Sequence, residues 1–226
     1  RKAEVLGFSG LVGAGRTEVM RAIIGADKLL SGEIYLEGKQ IVNKDPGDAE
    51  KNGIVMVPED RKTQGILANL GVGENITIGS LHANASKLGI INKVKERELA
   101  QRGIREFKIK TPNAEKKIVE LSGGNQQKAI VARWMGTNPK VVILDEPTKG
   151  IDIGAKSEFY AMICEFAKQG LGVILISSEL PEVIGLSDRI IVMKGRKIVG
   201  EIARKEANEE ALLGLAMMGG KENGTE

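Results

Sequence analysis

One histidine and one cysteine in 226 residues close off several chemistries at once. A single cysteine forms neither a disulfide within the chain nor a cysteine-ligated metal framework. Cys164, set among Phe159, Met162, Ile163 and Phe166, reads as a small buried hydrophobe. His82 has no acidic or nucleophilic neighbour at a meaningful spacing, so it reads as a loop residue and removes a histidine triad and a multi-histidine zinc site. Four Phe, two Tyr and one Trp are too few for a platform that stacks single-stranded bases. The net charge of +3, spread over interspersed cations and anions, gives only a weak long-range field and little support for DNA binding. No run approaches the ~18 apolar residues of a membrane span, and Arg1-Lys2-Ala3-Glu4 leads into a strand pattern instead of a signal peptide. Prolines are also few, 6 against 29 glycines, which points to tight turns and close backbone contacts.

The length fits one large α/β domain, 1–226, with an insertion. Residues 4–9 read as a buried strand, 10–15 as a glycine-rich loop and 17–24 as a helix with Val19, Met20 and Ile23 on its apolar face. Short strands are expected over 32–38 and 39–43, a proline-opened helix over 46–52 and a core strand over 53–57. From 72 to 118 the chain turns polar, charged and helical, broken by Gly79, Gly89 and Gly103, and reads as an inserted helical subdomain. A helix over 125–135 precedes Val141-Val142-Ile143-Leu144, apolar without alternation and therefore expected centrally in a parallel sheet. Helix 155–168, strand 172–176, helix 180–185 and strand 189–193 continue an α/β beat. An edge strand over 197–202, a closing helix over 209–218 and a flexible tail over 219–226 complete the reading.

Gly10-Leu11-Val12-Gly13-Ala14-Gly15-Arg16-Thr17 fits the phosphate-binding pattern G-x-x-x-x-G-K-[ST] at every fixed position except lysine, where Arg16 stands. Glycines let backbone N–H groups turn toward anionic oxygens, the following helix adds its positive end, and Thr17 offers a hydroxyl to Mg²⁺. Alone, such a loop is also an ordinary glycine-rich turn. The strand ending in Asp145-Glu146-Pro147 decides for a nucleotide site: Asp145 is placed to hold magnesium through water and Glu146 to polarise an attacking water. Leu121-Ser122-Gly123-Gly124-Asn125 sets a serine and two glycines at another helix start. It reads either as a plain serine cap or as a second anion site approached by a different nucleotide.

In this order the motifs resemble the ATP-binding cassette superfamily: GLVGAGRT, the signature LSGGN, VVILDEP and the D-loop Thr148-Lys149-Gly150-Ile151-Asp152. More narrowly, VPEDRKTQGI, ELSGGNQQK, DEPTKGIDIGAK and ISSELPEVIGLSDRIIVMKGRKIVG resemble the C-terminal cassette of the tandem ATPase subunit of bacterial monosaccharide importers. That group includes ribose, galactose, xylose and arabinose systems. The resemblance implies a P-loop NTPase core with an inserted helical subdomain and a small antiparallel β region, and ATP with Mg²⁺ as ligands. It implies a peripheral position on the cytoplasmic face of the membrane. It also implies a second cassette in the same full-length chain, permease subunits and, indirectly, a solute-binding protein as partners.

The resemblance further implies nucleotide contacts from Gly10, Gly13, Ala14, Gly15, Arg16, Thr17 and Asp145, with Ser122, Gly123, Gly124 and Asn125 facing the partner's nucleotide. Glu146 becomes the general base, and Asp152 a contact across the cassette pair. Glu59 takes the place of the usual Q-loop glutamine and Ser178 that of the switch histidine, which makes both candidates for catalysis. Thr17, Asp145 and Glu59 are the metal candidates. Arg16, Glu59 and Ser178 all depart from the family pattern at the γ-phosphate position, so the local site is expected to bind MgATP and hydrolyse it slowly. The carboxylate of Glu59 adds repulsion toward phosphate unless Mg²⁺ or the neighbouring Arg61 and Lys62 compensate. Because the family's adenine-stacking aromatic lies upstream of the phosphate loop, the chain is expected to be a fragment of a longer polypeptide. The alternative function is a soluble cassette protein acting on the ribosome.

Overall fold

The structure, a computed structural model, describes residues 1–81 and 91–218. His82, Gly89 and the 219–226 segment lie outside them. By contact the described chain separates into two units: Arg1–Val55, Lys140–Glu146 and Tyr160 onward form one, Met56–Pro139 and Pro147–Phe159 the other.

The first unit is built on a sheet ordered β4-β5-β6-β1-β7-β8. Its strands are β1 (Glu4–Gly10), β4 (Ile54–Val57), β5 (Val141–Asp145), β6 (Gly172–Ile176), β7 (Arg189–Lys194) and β8 (Lys197–Ala203). β1 runs parallel to β6 and β7, β5 runs parallel to β6, and β8 returns antiparallel at the edge. Strands covered on both faces need no polar alternation, which is why Val142, Ile143 and Leu144 are at most 1% exposed. β5 is interior but one place from the edge; β6 and β1 occupy the middle. Phe8, Ile176 and Asp145 stand side by side across the register. The carboxyl ends of three strands therefore release their loops together. Helices α1 (Arg16–Ile23), α7 (Leu180–Leu186) and α8 (Glu209–Met218) belong to this unit, as do α2 (Pro46–Asn52) and a separate hairpin of β2 (Ile34–Leu36) with β3 (Lys39–Ile41). Val183, Ile190, Val192, Leu212 and Ala216 close a core beneath α7 and α8. Cys164, expected to be buried, is half-exposed on its helix.

The second unit packs α3 (Val72–Thr77), α4 (Lys93–Glu106) and α5 (Gly123–Met135) around Val72, Ile76, Ile109, Ile118, Ala129 and Ala132. Gly103 does not break the chain as expected: it lies inside α4, where a Cβ would come within 2.7 Å of the Ile76 methyl, so its bareness serves helix packing. Gly79 likewise lies in a helical turn, Ile78–Ser80, that continues α3. Helix α6 (Ile153–Lys168) carries the chain from one unit to the other. No helix among the described residues is long and apolar enough to cross a membrane.

Arg133 holds the second unit together from within α5. Only 6% exposed, it donates through Nε to the Asn75 carbonyl at 2.6 Å, through one terminal nitrogen to the Gly65 carbonyl at 2.7 Å and through the other to Asn75 Oδ1 at 2.9 Å. These partners are carbonyl oxygens, not a carboxylate, and burial pushes the guanidinium down to about 10. Arg133→Met would strand those buried carbonyls and is expected to lower the unfolding free energy by about 3 kcal/mol. Urea unfolding followed by far-ultraviolet circular dichroism checks this, and a loss below ~1 kcal/mol would mean that water already satisfies the acceptors.

Candidate functional site

The loop after β1 is shaped by three glycines with positive φ, Gly10 at 154°, Gly13 at 77° and Gly15 at 97°. A Cβ on Gly10 would sit 2.4 Å from the Met193 carbonyl, and one on Gly15 would meet Arg196 at 2.9 Å, so both ends of the loop are backed by the β7–β8 hairpin. The Arg196 N–H donates to the Ala14 carbonyl at 2.9 Å and fixes that backing. At Gly13 an added Cβ meets nothing within 4 Å, and Val12 is 97% exposed, so this stretch of backbone faces open space. Gly15 caps α1 without any side-chain hydrogen bond, leaving first-turn N–H groups for another acceptor. A braced, outward-facing loop that feeds a helix N-terminus fits a polyphosphate. Thr17 is half-buried in the first turn of α1.

Asp145 ends β5 fully buried, and Glu146 follows with φ at 46°, a left-handed conformation that non-glycine residues rarely hold. The Glu146 N–H donates to the Ile176 carbonyl at 2.9 Å, which turns the carboxylate away from the strand. Ser178 Oγ donates to Glu146 Oε2 at 3.1 Å. Arg16 donates to the Ser177 carbonyl at 2.9 Å and brings its other terminal nitrogen to 3.7 Å from Glu146 Oε1. The Arg16 and Glu146 side chains are only 11% and 10% exposed. A lysine, with one compact ammonium, would not span a carbonyl and a carboxylate in this way; the planar fork does. Ser177, 1% exposed, donates its hydroxyl to the buried Glu182 and accepts the Glu179 N–H at 3.1 Å, so the carbonyl that receives Arg16 is itself held in place.

In the second unit Ser122 is the N-cap of α5, and the helix begins at Gly123, two residues before the expected start. The serine does not cap: its hydroxyl accepts from Asn125 Nδ2 at 2.9 Å, while Asn125 Oδ1 accepts the Lys110 N–H at 2.8 Å. First-turn N–H groups are thus left without a side-chain cap, as an anion-facing helix end requires. Gly124 lies where a Cβ would meet Ala155 at 2.9 Å. Asp152 is exposed and accepts the Ala155 N–H at 2.9 Å, starting α6. Glu59 is exposed and pairs with Lys149 at 2.7 Å. Arg61 and Lys62 are the cations adjacent to it in sequence. Arg61 instead donates to the backbone carbonyls of Lys149 and Gly150, at 2.7 and 3.1 Å.

Within the first unit the structure brings together Gly10, Gly13, Ala14, Gly15, Arg16, Thr17, Asp145, Glu146 and Ser178; within the second it groups Ser122, Gly123, Gly124 and Asn125 with the D-loop and Glu59. Sequence reasoning missed Ser177, Glu182, Arg196 and Lys149. Ser177 and Glu182 stand in the same ISSELPE run as Ser178, and an acidic residue five positions after a loop serine is a readable signal. The role of Arg196 depends on hairpin packing and leaves no local mark. Among the described residues no group of three or more His, Cys, Asp or Glu is placed to hold a metal ion.

Residues 1–149 match the family described as ABC transporter. The arabinose import ATP-binding protein AraG 1 of Burkholderia thailandensis is 55% identical over 219 residues, covering 96% of this chain and 43% of that protein. AraG of Mannheimia succiniciproducens is 50% identical over 218 residues with the same coverage. This chain therefore spans less than half the length of these relatives. Among solved structures, the ATP-binding cassette MJ1267 superposes with a TM-score of 0.80 at 26% identity, over 95% of this chain and 88% of that one. A nucleotide-free ATP-binding cassette from an ABC transporter gives 0.78 at 27% identity, over 95% and 85%. The phosphate loop backed by a hairpin, the acidic pair at the end of β5 and the uncapped signature helix thus lie on the fold to which they belong, and the chain is a member of the ABC transporter family.

Proposed function

We propose that this chain is the C-terminal cassette of the ATPase subunit of a bacterial monosaccharide importer, of the kind its arabinose-import relatives are named for. It works peripherally on the cytoplasmic face of the membrane. Its own site holds MgATP and turns it over slowly, while its signature completes a faster site on the partner cassette. Gly10 to Gly15 and the start of α1 bind the phosphates through backbone N–H groups; Thr17 and Asp145 hold magnesium, which neutralises phosphate charge when bound.

The observation that carries the slow-site reading is the bridge of Arg16 between the Ser177 carbonyl and Glu146. The cation that should contact the transferring phosphate is directed at the base, and both Glu146 oxygens are engaged, one by Ser178 and one by Arg16. A water that Glu146 orients must share the carboxylate with them. Phosphoryl transfer depends on positioning and electrostatics, so a diverted cation and an occupied base slow the step while leaving backbone-mediated binding intact. Glu59, the remaining catalytic candidate, pairs with Lys149 in this arrangement.

In full-length protein assembled with its permease, Ser122→Arg is expected to abolish most coupled hydrolysis by placing bulk where the partner's phosphate docks. Glu146→Gln is expected to do less in the same assay, since it disables a site that is already slow. Steady-state phosphate release, with assembly and nucleotide occupancy checked for each variant, decides. Equal losses from the two substitutions, or equal turnover at the two composite sites, would reject the division of labour. Recovery of the protein on ribosomes and not with membrane subunits would reject the importer reading itself.

To permease docking we assign the segment between Glu59 and Ile118, which contains the helical insertion over 72–118. Asn69 is exposed just ahead of that insertion, whereas Glu74 is exposed but accepts the Gly71 N–H at 2.8 Å and helps begin α3. Cysteine at Asn69 should therefore crosslink to cytoplasmic permease loops without disturbing the helix; cysteine at Glu74 should crosslink at some loss of stability. No crosslink from either position in an active transporter would place the docking surface elsewhere.

A further inference from the structure

Three stretches far apart in sequence meet at one guanidinium in the second unit. Arg61 donates to the Lys149 carbonyl at 2.7 Å and to the Gly150 carbonyl at 3.1 Å. Its terminal nitrogen also occupies the space beside Gly123: a Cβ there would lie 2.7 Å from it and 3.2 Å from the Gly150 carbonyl oxygen. The signature glycine is therefore bare because Arg61 fills the place of its side chain. Gly150 itself has φ at 66°, a turn that presents its carbonyl to the arginine. The segment bearing Arg61 is fixed in its turn, since Asp60 Oδ1 accepts the N–H groups of Lys62 and Thr63 at 2.9 and 3.2 Å. Two residues before Arg61, Glu59 grips the side chain of the same Lys149 whose carbonyl Arg61 holds.

The chemistry selects arginine. Two carbonyls and a glycine surface are addressed at once by a planar group with divergent donors, whereas an ammonium presents its three donors from a single point and cannot also fill the space beside Gly123. The Arg61 Nε is buried and has no hydrogen-bond partner among the described residues, a penalty for an arrangement governed by where the terminal nitrogens must sit.

We propose that Arg61 is the positioning residue of the surface this chain offers to its partner cassette. Its guanidinium locks the Lys149-Gly150 turn against Gly123, so that D-loop and signature helix reach the partner's nucleotide as one preset body. The proposal rests on the reading that the signature serves the partner's site. Arg61 acts here through the two loops it joins: each of its terminal nitrogens gives one N–H to a backbone carbonyl.

The test uses full-length protein assembled with its permease, carrying Arg61→Ala, Arg61→Lys or, as a neighbouring control, Lys62→Ala. Amide hydrogen exchange over residues 148–152, read without nucleotide, should quicken at least ~10-fold in Arg61→Ala and less in Arg61→Lys. Lys62→Ala should leave it unchanged. Steady-state turnover should fall ~10-fold in Arg61→Ala with KM for MgATP within ~2-fold of wild type, the mark of lost positioning. Unchanged exchange in Arg61→Ala would overturn the proposal. A raised KM with unchanged turnover would also overturn it, by making Arg61 a nucleotide ligand. If Arg61→Ala does not assemble, Arg61→Lys decides on the same two readouts. Wild-type protein that assembles but hydrolyses no ATP would sink the importer reading, while the exchange comparison would still judge Arg61.

Discussion

The register that sets Phe8, Ile176 and Asp145 side by side is the constraint on which the local nucleotide site depends. Parallel strands hold register through evenly spaced backbone bonds, so the loop following each strand starts at a fixed place relative to its neighbours. From Phe8 the chain needs only two more residues to reach Gly10; from Ile176 it passes at once to Ser177 and Ser178; from Asp145 it turns at Glu146. A slip of one residue would turn every side chain of the strand to the opposite face of the sheet and point Glu146 elsewhere. The apolar runs that bury these strands on both faces thus carry functional information, although none of their side chains is chemically reactive. The positive φ of Glu146 is tolerated because its N–H is anchored on Ile176 across the same register.

Most of the fold could be read from the chain because its strands are short apolar blocks and its turns are marked by glycine. The reading failed where packing overrode a local signal. Gly103 resembles a helix break, yet it sits inside α4 against Ile76, and nothing within a few residues of it announces that neighbour. Cys164 stands among hydrophobic residues in sequence, but helical periodicity leaves it at the margin of the buried face. The site was legible as far as residue type and motif order carry it: the phosphate loop, the acidic pair and the signature were all identifiable. The pairings were not. Glu59 could have been balanced by either adjacent cation, and the charge that reaches it comes from Lys149, ninety positions away in the chain. Long-range partners of that kind are set by topology, which no local pattern encodes.

Glycine shows the difference between the two anion-facing surfaces. At Gly10, Gly13 and Gly15 the residue type answers to backbone conformation, since all three take positive φ and a side chain would be strained whatever the space around it. At Gly123 and Gly124 the helix is ordinary, and the residue type answers to neighbours: Arg61 fills the volume beside one, Ala155 the volume beside the other. The same substitution to alanine therefore means different things. In the loop it would reshape the cradle itself; at the signature it would displace a neighbour and move the D-loop with it.

Arginine divides in a parallel way. Arg16, Arg61 and Arg133 each donate to backbone carbonyls, and each spans two groups that a single ammonium would not. In Arg133 the result is structural, a buried cation that ties α5 to α3 and to the turn at Gly65. In Arg61 it links the Lys149-Gly150 turn to the start of α5 at Gly123. In Arg16 one of the two groups is Glu146, so a residue type chosen for its reach brings the phosphate-loop cation and the base into contact. Once that contact exists, ligand entry and base release are no longer independent events: a phosphate that attracts Arg16 also loosens its hold on Glu146. The freedom of the Glu146 carboxylate thereby depends on where the Arg16 guanidinium points.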